Sequence, residues 1–123
     1  MNHLALIILL LCAVMTSSQI NKRKVLLFST AKEPTVLQQQ QKILNGEVEG
    51  LREREIVIET YLLNERNEAV FTRHTAGQAP FTFVLIGKDG GEKLRSNQLV
   101  STKKLFGLID QMPMRQSEMR KRQ

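Results

Sequence analysis

Side chains able to make or break bonds are scarce in this sequence. The one cysteine, Cys12, lies inside the uncharged apolar run of residues 4–15 (LALIILLLCAVM), and Leu11 before it is bulky where a lipid-modified cysteine follows a small residue. A Ser-His-Asp arrangement needs a histidine as base. Beyond His3 there is only His74, between Arg73 and Thr75 in a polar stretch, where cationic neighbours disfavour its protonation and a solvated surface role is expected. Glu47, Glu49, Glu53 and Glu55 are interleaved with Arg52 and Arg54, the pattern of a solvated helix or loop surface, not of a metal cluster. No catalytic residue, cofactor or metal ligand is therefore expected.

Two groups of residues remain as candidates for binding. Ser29 and Thr30, followed by Lys32 and then by Pro34 at the expected start of a helix, could hold an anion on backbone N–H groups; the alternative is that the hydroxyls cap the helix or close the turn. At the other end of the chain Arg115, Arg120, Lys121 and Arg122 face only Glu118. They suit an anionic surface, glycan or lipid headgroup, or else form a frayed, solvated tail.

The elements that must position these groups begin with the apolar run, followed by Thr16, Ser17 and Ser18, as in a signal peptide and its cleavage zone. Residues 1–19 are expected to be removed on export to a secreted or periplasmic location, taking Cys12 with them. The charge order dissents, because Lys22, Arg23 and Lys24 follow the run and no Lys or Arg precedes it, which favours an anchor with the domain inside. The run falls well short of the roughly 20 apolar residues of a spanning helix, so no stable membrane span is expected once the leader is cleaved; an uncleaved anchor is the alternative. All of the formal charge of +6 lies outside this segment and points to anionic partners. Nucleic acid is not expected, since export opposes it and the sequence has no Trp and one Tyr to stack on bases.

Residues 24–29 (KVLLFS) read as a central strand after a basic linker at 21–23. Pro34 opens a helix to about Asn45 with Val36, Leu37, Ile43 and Leu44 on its stripe, and Gly46 and Gly50 break it. Residues 56–63 alternate as an edge strand marked by Glu59, and residues 64–78 hold a short helix around Val70 and Phe71. Residues 81–86 (FTFVLI) form the strongest strand, joined to residues 92–95 by a hairpin whose Asp89-Gly90 suits a two-residue turn. Ser101 caps a last helix to about Met112, which Pro113 stops, leaving a polar, basic tail at 114–123.

This order of elements is that of a thioredoxin-like α/β domain over residues 22–113, a four-stranded mixed sheet in the order 2-1-3-4 flanked by helices. Pro80, just before the third strand, stands where such domains carry a cis-proline. Three stretches, RKVLLFS (23–29), GKDGGEKLRS (87–96) and LFGLIDQMPMR (105–115), resemble the thioredoxin-like domain-of-unknown-function family 4174, related to extracellular domains of sushi-repeat-containing and coiled-coil-domain-containing matrix proteins. The resemblance implies an exported thioredoxin-like or peroxiredoxin-like fold and brings no activity with it. In that fold the Cys-x-x-Cys of a redox protein would sit in the loop of residues 29–34, which has no cysteine, so thiol-based redox activity is not expected. The expected function is a non-enzymatic binding or adaptor module for a protein, an anionic glycan or a lipid headgroup, with Ser29, Thr30, Lys32 and Pro80 as the candidate surface. The alternative is a divergent oxidoreductase-like enzyme using a non-cysteine site near the first helix N-terminus.

Overall fold

The computed structural model describes residues 21–123, so the leader, its cleavage and Cys12 lie outside the described residues. The elements are β1 (Arg23–Ser29), α1 (Thr35–Asn45), α2 (Val48–Glu53), β2 (Ile56–Leu62), α3 (Glu68–Arg73), β3 (Phe81–Ile86), β4 (Glu92–Ser96), α4 (Thr102–Asp110) and α5 (Pro113–Lys121). The four strands form one mixed sheet in the order β2-β1-β3-β4, with β1 parallel to β2 and antiparallel to β3, and β4 antiparallel to β3. The expected topology is thus observed.

The middle of β1, Val25 to Phe28, is apolar because both of its faces are covered. Val25 and Leu27 pack with Phe83, Leu85, Leu44, Leu105 and Ile109 on one side. Leu26 and Phe28 pack with Phe71 and Val84 on the other. β2 lies at the sheet edge, as Glu59 implied, with Ile56 and Ile58 against the first cluster and Tyr61 against the second.

Five local readings change. On α1 the buried positions are Leu37, Gln40 and Leu44, while Val36 is 40% exposed. The Gln40 amide donates to Val100 O at 2.9 Å and accepts from Val100 N–H at 2.8 Å, so a glutamine replaces an apolar core residue by taking the place of a strand neighbour. Gly50 lies within α2 and does not break it; a Cβ there would stand 2.5 Å from the Phe106 ring. The β3–β4 loop is three residues, Lys88, Asp89 and Gly90, closed by Gly90 N–H to Gly87 O at 3.0 Å and Gly87 N–H to Gly91 O at 2.8 Å. Gly90 has φ +84°, the left-handed position of the three-residue hairpin.

The fourth change is the largest. α4 ends at Asp110, short of Pro113, but Pro113 then starts a further helix at the N1 position that needs no N–H, and residues 113–121 form α5 instead of a loose tail. Arg23, read as part of a linker, opens β1 and is 1% exposed.

Candidate functional site

The sheet has two ends of different character. At the C-terminal end of β1, Ser29 is buried, and its backbone carbonyl accepts from Leu63 N–H at 3.0 Å. Thr30 N–H donates to Pro80 O at 3.0 Å, which ties the β1–α1 loop to the start of β3. Its hydroxyl reaches Ala79 O at 3.5 Å, so it closes the turn and does not cap α1. Ser29, Pro34, Val36 and Pro80 line a shallow cleft of about 70 Å³. The structure therefore brings Ser29, Thr30 and Pro80 together, while Lys32 is exposed on the loop outside that cleft. Peptide bonds among the described residues are all trans, Ala79–Pro80 included. The β1–β2 register sets Leu62 opposite Ser29, and the exposed Val36, Leu62 and Leu63 give this end an apolar rim.

The N-terminal end of β1 is built from charge. Arg23, Arg54, Lys88, Arg115 and Arg122 interlock with Glu53, Glu55, Asp110 and Glu118. Arg54 clamps Asp110 through Nε at 3.0 Å and a terminal nitrogen at 2.8 Å, and its guanidinium lies 4.0 Å over the Phe106 ring. Arg115 is 1% exposed; it donates to Asp110 at 3.1 Å, to the Glu53 carboxylate at 3.0 Å and to Glu53 O at 3.2 Å. Arg23 donates to Arg54 O at 2.8 Å and to both oxygens of Glu118, at 3.1 and 3.3 Å. Lys88 from the hairpin joins Glu118 at 2.6 Å and also Glu55.

A guanidinium taken out of water is strongly unfavourable unless its donors are answered, and here carboxylates and backbone carbonyls answer nearly all of them. The hydrogen bonds from Arg54, with help from Arg115, hold the Asp110 carboxyl below the usual carboxylate range against the opposing effect of burial. Burial raises the Glu118 carboxyl, but the bonds and charges of Lys88 and Arg23 outweigh it, and the group ends below its ordinary value. Arg115, one of the four candidates for a tail that contacts anions, is thus committed to a buried network. Arg122 donates to Glu53 O at 3.2 Å at its edge, and only Arg120 and Lys121 stand wholly on the exposed side of α5.

A model of the domain of unknown function DUF4174 matches residues 14–118. The chain belongs to this family. The DUF4174 match ends at Glu118, the carboxylate shared by Arg23 and Lys88. Two solved structures are similar to this DUF4174 chain in fold. One, a malarial protein, is 18% identical and aligns with a TM-score of 0.56 over 73% of this chain and 96% of that one. The other is thioredoxin-2, a component of the malaria parasite protein secretion machinery, 18% identical with a TM-score of 0.58 over 75% of this chain and 84% of that one. No curated protein matches the chain. The DUF4174 domain is thioredoxin-like in architecture.

The remaining polar groups of the DUF4174 domain fall into place around these ends. His74 follows α3 with its ring 5.7 Å from that of Phe28, and burial, then the Arg73 and Arg95 charges, lower its pKa. Tyr61 donates to Glu59 at 2.7 Å and stacks on Phe28; burial and that carboxylate push its pKa up to about 12. Among the described residues no three His, Cys, Asp or Glu side chains converge as metal ligands. The charged network is what sequence reasoning missed. Its signal was present in charged residues placed inside otherwise apolar or turn-forming stretches: Arg23 before VLLF, Lys88 in GKDGG, and Asp110 and Arg115 in LIDQMPMR.

Proposed function

We propose that this chain is an exported, non-enzymatic binding module that contacts a protein partner with the Ser29–Pro80 end of its sheet. One observation carries the proposal: the loop that would hold a dithiol is Ser29-Thr30-Ala31-Lys32-Glu33-Pro34, and an exposed apolar rim of Val36, Leu62 and Leu63 surrounds it. Thiol exchange needs a thiolate at this place. An apolar rim with one projecting cation at Lys32 is instead suited to a partner surface that offers apolar side chains and a carboxylate. The leader-like residues 1–19 support export, and Arg120 and Lys121 offer a secondary contact for an anionic glycan or lipid headgroup.

The test combines mass determination of the amino terminus of the chain produced in cells with site-specific crosslinking from Lys32 in the exported fraction. The expected result is a terminus near Ser18 or Gln19 and one crosslinked partner, lost on Leu63→Asp substitution. A retained leader, or a purified chain that turns over a substrate, overturns the proposal.

A further inference from the structure

β2 bounds the sheet on one side, and among the described residues no strand pairs with its outer edge. Glu55 O accepts from Arg23 N–H at 3.0 Å and Leu63 N–H donates to Ser29 O at 3.0 Å, so the backbone groups of the odd-numbered residues from 55 to 63 turn toward β1. Bonding groups alternate in direction along a strand, so the N–H and C=O of Ile56, Ile58, Thr60 and Leu62 turn outward. The Leu62 carbonyl is answered within the chain, by the side-chain amides of Asn67 at 2.6 Å and Asn64 at 3.3 Å. Ile56, Ile58 and Thr60 remain as an open row of donors and acceptors.

The two edges of the sheet differ in how they are guarded. β4 carries Glu92, Lys93 and Arg95, and Arg95 reaches across to Thr75 O at 3.3 Å. Charges of this kind keep an edge from pairing. β2 carries one charge, Glu59, which is paired with Lys24 at 3.6 Å. Beside it Ile56 and Ile58 line a cleft of about 310 Å³ together with Leu51 and the half-exposed Val48. An open, β-branched edge flanked by apolar surface is suited to receive a further strand.

The sequence of this edge is complementary to itself in one register. In an antiparallel pair related by a two-fold axis, outward-turned residues must meet outward-turned residues. Only a pair centred on Ile58 sets all three open residues against open residues: Ile58 meets Ile58 of the second copy, and Ile56 meets Thr60 in both directions. Glu59 then stands opposite Val57. The neighbouring registers set Glu59 opposite Glu59 or opposite Glu55 of the second copy, like charges that oppose pairing. A register centred on Thr60 needs the Leu62 carbonyl that Asn67 already holds.

We propose that two copies of this chain pair along β2, antiparallel about a two-fold axis at Ile58, into one continuous sheet with the two apolar clefts on the same face. The ladder stops short of Leu62 and Leu63, so it does not rest on the partner surface at the Ser29–Pro80 end.

Sedimentation velocity of the chain as recovered from producing cells should show a monomer–dimer equilibrium in the micromolar range. Val57 reports the register, because it lies beside Lys24 of its own copy and opposite Glu59 of the other. Val57→Glu should weaken the dimer about tenfold and Val57→Lys should tighten it about tenfold, since like and opposite charges across a strand pair act in opposite directions. Thr60→Pro removes an outward N–H and no bond to β1, so it should abolish the dimer while the monomer stays folded by circular dichroism. A monomer at every concentration, a dimer that responds alike to both charges at position 57, or one that survives Thr60→Pro would each overturn the proposal.

Discussion

At the Ser29 end of the sheet the chain is held by single backbone hydrogen bonds, and its apolar side chains stay in solvent; at the Arg23 end, one strand length away, guanidinium groups are buried and their carboxylates are shared among several donors. The strand between the two ends is equally buried along its length, so the difference comes from what was built around it. The Ser29 end leaves Val36, Leu62 and Leu63 exposed beside a loop held by few bonds. The Arg23 end instead ties together β1, the end of α2, the hairpin, α4 and α5 by ion pairs at the margin of the core to which β1, α2 and α4 contribute. Charges fix geometry there at the cost of intolerance to change.

The sharpest way to break this contrast is to remove a shared carboxylate. Asp110→Ala leaves Arg54 and the buried Arg115 without their common acceptor and should cost about 3 kcal/mol in chemical denaturation, whereas Thr30→Ala should cost no more than about 0.5 kcal/mol, since its hydroxyl makes one long contact. Equal costs at the two ends would refute the division of labour.

Acid offers the next largest effect. Asp110 and Glu118 titrate below their ordinary values in the fold, so the unfolded chain takes up protons first and the stabilisation from these groups is complete above the unfolded carboxylate range near pH 4. It is lost as the pH falls through the lower folded values. Glu118→Gln should therefore be less stable than the parent at neutral pH and lose less on acidification, with the two denaturation curves converging at low pH.

Packing gives a smaller effect. Gly50→Ala places a methyl against the Phe106 ring that also lies under Arg54; a loss of about 1–3 kcal/mol is expected from overpacking, and Phe106→Leu in the same chain should recover part of it. The smallest change in stability belongs to Lys32→Glu, within about 0.5 kcal/mol because the side chain is exposed. Its effect should appear in partner capture alone.

The sheet was legible in the sequence because β1 and β3 are apolar runs of strand length and β2 alternates, patterns that depend on local periodicity. The Ser101 cap was legible for the same reason, and its hydroxyl accepts from Lys104 N–H at 3.1 Å as the spacing implies. α5 was not, because a proline ends one helix and begins another with equal ease, and a segment with so little apolar periodicity gives no sign of being docked. The charged network was hidden by distance along the chain. Arg23 and Glu118 are 95 positions apart, and although Arg23 stands before an apolar run, nothing local to either names its partner. For the candidate site, the meeting of Ser29, Thr30 and Pro80 followed from topology once the strand order was fixed, while the commitment of Arg115 required the coordinates.

The amide of Gln40 has a consequence of a different kind. It presents a donor and an acceptor to Val100 as a neighbouring strand would, so the Val100 N–H is shielded from solvent by a side chain on α1 and not by the ladder of the sheet. Deuterium uptake at that one amide is then a gauge of how often the first helix lifts away, readable without substituting any residue.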